Sequence, residues 1–333
     1  MPNSDSRAPR PDEVRDVLKA WDVGSIQDVA SDTLGTINQT WLVRTEIGRY
    51  AVRLSAHRDA DALKRECNLL YFVIERGIPA VQPFLSREGA PFVQCESGLW
   101  MVSPFAPGHQ TDREDMSPEE DRGMGKCLAK LIRVLSTCPK QLGKRRRLQV
   151  DVQKTLEEID RIETLIRSHP TQQDYEQFAV DRLRGRRSWI ECHANETTDG
   201  LEALAHQVIH GDYQEKNVFF DDLGEVVGLI DWDNAWTAPP EWEIIRTLNF
   251  VMDFDPARGT NFIEGYRASG DLDLESLDRA AWAYGVSRTH DLWLFKEIYK
   301  RGNERARRFQ RPGAFQPVYD RWVPLRDALE RVS

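Results

Sequence analysis

The run Val208-Ile209-His210-Gly211-Asp212-Tyr213-Gln214-Glu215-Lys216-Asn217-Val218-Phe219-Phe220 has the residue types and spacing best suited to chemistry in this chain. Apolar residues lead in and out, so the polar centre reads as a loop held between two short strands. A turn at Asp221-Asp222-Leu223-Gly224 then feeds a strand over Val226 to Ile230. That strand delivers Asp231-Trp232-Asp233 to the same end of the sheet, beside Asp212 and Asn217. Carboxylate and amide oxygens are hard ligands that suit Mg²⁺, which takes one or two carboxylates together with substrate phosphates. A further carboxylate beside such a metal can orient an incoming hydroxyl and accept its proton. Phosphoryl transfer needs these two provisions above all, charge neutralisation and positioning of the nucleophile. The plain alternative is a β-hairpin whose polar turn spells the pattern by chance. The step from Asp212 to Asn217, the strand-like flanks and the second motif Ile230-Asp231-Trp232-Asp233 together weigh against it.

H-G-D-x-x-x-x-N followed by I-D-W-D closely resembles the catalytic and metal-binding segments of the aminoglycoside phosphotransferase and choline kinase superfamily. Those enzymes resemble protein kinases, whose catalytic loop reads H-R-D-x-x-x-x-N and whose metal motif is D-F-G. The resemblance implies an α+β, protein-kinase-like bilobal fold, with a small β-rich N-lobe and a large, mainly helical C-lobe. It implies ATP as co-substrate and Mg²⁺ as metal, with Asp212 the catalytic base and Asn217 and Asp231 the metal ligands. Asp233 would act through water, and His210 would brace the loop.

The elements upstream agree with that order. Val14, Val17, Leu18 and Trp21 share one face of a helix predicted over Pro11 to Trp21. Strands are predicted over Thr36 to Thr45 and Arg49 to Leu54, joined by a turn at Glu46-Ile47-Gly48. A helix follows over Ala60 to Arg76, closed by Gly77 and Pro79. Three more strands, Val81 to Leu85, Pro91 to Cys95 and Leu99 to Phe105, lead to a linker at Ala106-Pro107-Gly108. By the resemblance, Gly35 to Thr40 would cover the phosphates, and Arg53 would pair with them where relatives use lysine. Arginine is a fixed cation suited to phosphate. Glu66 would hold Arg53 in place. The Pro104 carbonyl and the Ala106 amide would meet the adenine, and a proline that cannot donate is compatible with an accepting role. No Walker A sequence is present, which argues against a P-loop enzyme.

Beyond residue 106 the chain turns helical, so residues 1–106 read as a nucleotide-binding lobe and residues 107–333 as a catalytic and substrate-binding one. Ser117-Pro118-Glu119-Glu120 is a capping-box helix start. Further helices are predicted over Val152 to Arg167 and Asp174 to Arg187, then from about Trp242, Phe262, Leu274 and Asp291 onward. Where the family often shows Asp-Leu after its metal motif, this chain has Pro239-Pro240-Glu241-Trp242-Glu243, and Glu243 reads as packing or capping. Two clusters could line an acceptor site: Trp232, Asp233, Trp236, Glu241 and Trp242, and the stretch from Arg288 to Trp293 with Tyr299 and Asn303. Aromatic and acidic groups together hold amines, whereas core packing is the ordinary use of each tryptophan.

Composition bounds the rest. The chain has 333 residues, 40% hydrophobic and 30% charged, which is ordinary for a globular protein. The longest apolar run, Leu69 to Ile74, is far too short to span a bilayer, and the N-terminus has no signal-like apolar stretch, so a cytoplasmic protein is expected. Five scattered cysteines without a C-x-x-C pair argue against a disulfide framework or zinc site. A net charge of −9 argues against a general nucleic-acid binder, and the basic clusters at Lys144 to Arg147 and Arg301 to Arg311 read as solvated faces. The reading is an ATP-dependent phosphotransferase moving the γ-phosphate to a hydroxyl of a small molecule: an amino alcohol, hydroxy amino acid, sugar or aminoglycoside-like acceptor. Neither a nucleic-acid nor a membrane partner is expected, and the oligomeric state stays open. A bacterial protein Ser/Thr kinase of the stress-response type and a non-catalytic nucleotide-binding scaffold are the alternatives.

Overall fold

The computed structural model describes residues 10–32, 39–56, 58–146, 148–168, 174–310 and 313–332. Helix α1 (Pro11–Leu18) begins with proline at its first turn and buries Val14 and Leu18. It stops short of Trp21, which nevertheless reaches the same core from the turn that follows. Strands β1 (Ile26–Asp32), β2 (Gln39–Thr45) and β3 (Arg49–Ser55) come next, then α2 (Ala60–Ile74), β4 (Val93–Cys95) and β5 (Gly98–Pro104). The five strands form one sheet in the order β1-β2-β3-β5-β4, with every described pairing antiparallel.

The period-two alternation of β2 points Trp41 and Val43 inward. They pack with Val52, Leu54, Trp100 and Val102 beneath α1, and Trp41 lies 5.3 Å from Trp100, ring centre to ring centre. On another cluster of the same sheet, Leu63 and Cys67 of α2 pack on Leu99 and Met101. Burying this many large apolar groups, each contributing about 1.5–3 kcal/mol, is what fixes the strand register.

One strand here was not predicted, and one predicted strand is absent. Strand β1 lies in Ile26-Gln27-Asp28-Val29-Ala30-Ser31-Asp32, too polar to signal a strand alone; it forms because β2 offers it an edge. Val81 to Leu85 is not a strand. Pro83 cannot donate to a ladder, and the segment makes only isolated contacts: Val81 N–H donates to Leu229 O (3.3 Å) and Phe84 N–H to Val102 O (2.7 Å).

Helix α3 (Pro118–Leu135) starts at the expected capping box, with Glu120 N–H donating to Ser117 Oγ (3.2 Å) and Ser117 N–H to the Glu120 carboxylate (2.7 Å). Then follow α4 (Val152–Arg167), α5 (Asp174–Cys192), β6 (Gln207–Ile209), β7 (Val218–Phe220), β8 (Val226–Leu229) and β9 (Trp236–Ala238). Helices α6 (Pro240–Phe250), α7 (Pro256–Arg267), α8 (Leu274–His290), the short α9 (Trp293–Phe295) and α10 (Val318–Val332) complete the order. Strand β7 pairs with β8, and β6 with β9. Neither β9 nor α10 was foreseen. The first is three residues long, and the second carries Pro324 inside it, which masks the helical pattern.

The chain divides into two compact units. One comprises Met1–Lys144, Gln207–Thr237 and Glu264–Gly270, and so holds the five-stranded sheet together with the hairpin β7–β8. The other comprises Arg145–His206, Ala238–Ile263 and Asp271–Ser333 and is helical, with a core that includes Ile159, Ile162, Leu183 and Phe295.

Candidate active site

The first unit gathers Asp212, Asn217 and Asp231 at one end of the β7–β8 hairpin. Gly211 makes the approach possible. Its φ is +79°, and a Cβ there would sit 2.3 Å from the carbonyl oxygen of Asn234, so a side chain at this position would collide with backbone. His210 is fully buried and clamps the loop from both ring nitrogens. Its Nδ1 accepts the Asp212 N–H (3.2 Å), which leaves Nε2 to donate to Ile230 O (3.1 Å). A histidine so engaged is a brace, and one of its two bonds ends on the residue just before Asp231.

The Asp212 carboxylate is itself aimed. Asn217 Nδ2 donates to its backbone oxygen (2.9 Å) and to Oδ2 (3.2 Å), and Gln214 Nε2 donates to the same Oδ2 (3.1 Å). With its NH₂ committed to Asp212, Asn217 keeps its carbonyl oxygen for a further ligand. The backbone of Asn217 is tied to the next strand through Ile230 N–H, which donates to Asn217 O (3.0 Å).

Asp231 adopts a left-handed backbone conformation (φ 62°, ψ 66°), uncommon for a residue other than glycine and a feature that clusters at functional sites. Its Oδ1 is buried and has no hydrogen-bond partner among the described residues. Burial, followed by the neighbouring charge of Asp233, pushes its pKa up to about 7. Asp233 responds the other way. Burial opposes its charge, but Arg53, a hydrogen bond with Asp231, Arg58 and Lys144 outweigh that and hold it below the usual carboxylate range. An orphaned, buried carboxylate oxygen on the residue after Ile230, whose N–H ties this strand end to Asn217, fits a hard divalent cation that also takes phosphate oxygens. Among the described residues no group of three or more His, Cys, Asp or Glu side chains forms a complete metal cage.

Arg53 and Glu66 do meet: Arg53 Nη2 donates to Glu66 Oε1 at 2.6 Å, with both side chains largely buried. Arg53 sits mid-strand opposite Met101, and Glu66 is on the buried face of α2. Burial works against the Arg53 charge, yet Glu66 raises its pKa, with smaller help from Asp231 and Asp233. A second arginine was missed by sequence reasoning. Arg58 pairs with the other Glu66 oxygen and also donates to Ala62 O (3.2 Å). No periodicity marks Arg58, because it lies in the loop before α2. Gln214 and Lys144 were missed as well; the latter donates to the Asp233 carbonyl.

Pro104 ends β5 opposite Tyr50, and Phe105 N–H closes the ladder on Arg49 O (3.0 Å). Ala106 is buried, and its methyl lies 3.3 Å from where a Cβ on Gly228 of β8 would stand. Two residues on, Gly108 (φ +81°) passes so close to Phe220 that a Cβ would lie 2.2 Å from its carbonyl oxygen. His109 and Phe220 then exchange backbone bonds of 2.9 and 2.8 Å. The linker is thus stitched to the hairpin that carries Asn217. Of the proposed phosphate-covering segment Gly35 to Thr40, residues 35–38 lie outside the described residues.

The suggested acceptor clusters are largely engaged within the fold. Trp232, Trp236 and Trp242 are buried, and Glu243 is fully buried. Trp232 and Trp236 belong to the first unit, and Glu241 and Trp242 to the second. In the other cluster, Asp291 Oδ1 accepts the Trp293 N–H (2.9 Å), His290 Nδ1 meets Thr155 Oγ1 (2.8 Å) and Asn303 donates to Glu297 (3.0 Å).

The profile of the phosphotransferase enzyme family matches residues 28–281, and the chain belongs to that family. It is 24% identical over 305 residues to a homoserine kinase of Methylobacillus glycogenes, covering 84% of this chain and 85% of that one. A solved spectinomycin phosphotransferase, APH(9)-Ia, in complex with ADP and spectinomycin, superposes with a TM-score of 0.68 at 13% identity, covering 97% and 98% of the two chains. The amicoumacin kinase hAmiN, solved with AMP-PNP and Ca²⁺, gives a TM-score of 0.63 at 15% identity over 97% and 94%. The fold is accordingly the α+β, bilobal, protein-kinase-like one, and the chain is a kinase acting on a hydroxyl acceptor. No helix among the described residues is long and apolar enough to cross a membrane.

Proposed function

We propose that this kinase uses ATP and Mg²⁺ to phosphorylate a small hydroxylated molecule bearing an amino group, with homoserine as the first candidate. Amino alcohols, sugars and aminoglycoside-like compounds follow. The observation that carries the reaction is the pair of amide donors on Asp212 Oδ2, set beside the orphaned Oδ1 of Asp231. Supporting the acceptor class is the similarity, over most of both chains, to a homoserine kinase, whose namesake carries a hydroxyl and an amine on one small skeleton.

In this reading residues 1–106 form the nucleotide-binding lobe and residues 107–333 the catalytic and substrate-binding one. Asp231 and the Asn217 carbonyl would hold Mg²⁺, which supplies charge neutralisation at the phosphates. Arg53, braced by Glu66, pairs with phosphate oxygens, and the Pro104 carbonyl and Ala106 amide receive the adenine. Asp212, its carboxylate fixed by Asn217 and Gln214, orients the acceptor hydroxyl and takes its proton. The hydroxyl oxygen bonds to the γ-phosphorus as the bond from that phosphorus to the β–γ bridging oxygen breaks, and ADP departs. His210 keeps its Nε2 proton on the Ile230 carbonyl and braces the loop.

The test is ADP formation by the full chain with Mg²⁺ across homoserine, amino alcohols, sugars and aminoglycosides. Turnover of homoserine or another amine-bearing acceptor is the expected result, and Asp212→Ala should lower it by about 10²–10⁴-fold. Turnover confined to acceptors without an amine would overturn the acceptor class. Undiminished turnover in Asp212→Ala would overturn the assigned base.

A further inference from the structure

Away from the Asp212–Asp231 cluster, the first unit contains a groove of about 490 Å³, a size typical of small-molecule sites. One wall is the stripe Lys64, Asn68 and Tyr71 of α2, spaced to share a helix face. The facing wall includes Gln82, Leu85 and Phe92. No residue here is shared with the nucleotide or metal positions described above. Leu85 is left 55% exposed, an unusual fate for a large apolar side chain beside a cavity. Tyr71 lines the groove, and its hydroxyl is buried with no hydrogen-bond partner among the described residues, a polar group left unsatisfied in this wall. Lys64 is the one charge in the lining, and it makes no ion pair among the described residues. An apolar groove with amide and hydroxyl donors, a single cation and no carboxylate selects a small amphipathic organic anion.

We propose that this groove binds such an anion, an aromatic or branched aliphatic group carrying a carboxylate or sulfonate, and that its occupancy tightens nucleotide binding. The route is short. Cys67, also in the groove lining, is buried and lies with its Sγ 4.0 Å from Met101 Sδ. Met101 stands directly opposite Arg53 on the neighbouring strand. The residue before Cys67 is Glu66, which grips Arg53. A ligand wedged between α2 and the Gln82–Phe92 wall holds α2 where Glu66 meets Arg53, because close-packed side chains pass on displacement rather than absorb it. By linkage, nucleotide must then tighten the anion by the same factor.

The binding half of this proposal is independent of the kinase reading, whereas the coupling half rests on Arg53 contacting phosphate. Anilinonaphthalene sulfonate, a fluorescent amphipathic anion, serves as probe on the full chain, with and without Mg²⁺ and AMP-PNP. One saturable site is expected, tightened about fivefold by the nucleotide analogue. Asn68→Trp and Gln82→Trp fill the groove from opposite walls, and each should remove the saturable signal while leaving kcat and the melting temperature unchanged. Lys64→Glu should weaken the probe about threefold, as for an exposed charge pair, and leave the neutral phenylnaphthylamine unaffected. Probe binding that survives both tryptophan variants, or that AMP-PNP displaces, overturns the site. Saturable binding with no change in nucleotide affinity overturns the coupling. Loss of the kinase reading would show instead as absent turnover with the probe still bound.

Discussion

The loop that carries Asp212 and the strand that carries Arg53 belong to the same compact unit, yet they are built on opposite principles. Around Asp212 nothing is regular: strands of three residues, a glycine at φ +79°, an aspartate at φ 62° and a histidine bonded at both ring nitrogens. Arg53 lies in a seven-residue strand with ordinary neighbours, and Glu66 in a fifteen-residue helix. In the loop, each residue type answers a demand made by backbone nearby. At the Arg53–Glu66 pair, the demand is made by another element altogether. Unusual backbone therefore writes its requirements into a local pattern, while regular backbone leaves them to packing.

That contrast can be broken. Gly211→Ala puts a methyl against the Asn234 carbonyl and forces a left-handed residue. We expect kcat to drop about 10²-fold, as displacements near 1 Å do, with about 1–3 kcal/mol of stability lost. If activity survived intact, the loop would be less constrained than its geometry indicates, and turnover together with thermal melting decides it.

A smaller effect is expected at the regular pair. Glu66→Gln removes the charge shared by Arg53 and Arg58 and should raise the KM for ATP by about tenfold, with kcat less affected, in keeping with a lost buried charge contact. Arg53→Lys should do much the same, since lysine lacks the planar fork. The double variant should fall short of the two effects combined, because residues in one network couple by about 0.5–3 kcal/mol. Full additivity would mean that the two act separately and that packing alone aligned them.

The smallest effect is expected at the α3 capping box. Burial opposes the Glu120 charge, but hydrogen bonds from Thr111 and Ser117 outweigh it, so its pKa falls below the ordinary 4.5. A carboxyl with a depressed folded pKa stabilises the fold above its unfolded pKa, and that stability is lost as pH falls through the folded value. Ser117→Ala should cost about 1 kcal/mol at neutral pH. The cost should shrink in acid below pH 4.5, where Glu120 protonates and the box weakens in both proteins. Denaturant midpoints at the two pH values measure it, and a cost that grew in acid would contradict the assignment.

Much of the architecture was legible because local rules wrote it. The α4 bounds, the α3 capping box, strand β3 and the β7–β8 hairpin followed from periodicity, cap residues and turn glycines. Strand β1 was not legible: its seven residues are mostly polar, and only pairing with β2 makes them extended. The Val81–Leu85 segment failed in the opposite sense, since its β-forming residues were read without weighing Pro83.

By itself, then, the order of residues determined the reaction chemistry. H-G-D-x-x-x-x-N and I-D-W-D bring carboxylates and an amide together at a spacing that one hairpin closes. Tertiary structure alone decided which groups tune them. Arg58 and Lys144 reach the site from a loop before α2 and from the segment just after the short 3-10 helix Lys140–Leu142, far from it in sequence. The two aspartates of I-D-W-D are chemically identical on paper. Burial pushes the pKa of Asp231 up while neighbouring cations hold Asp233 charged, and that divergence comes from long-range charge and desolvation, which no local pattern encodes.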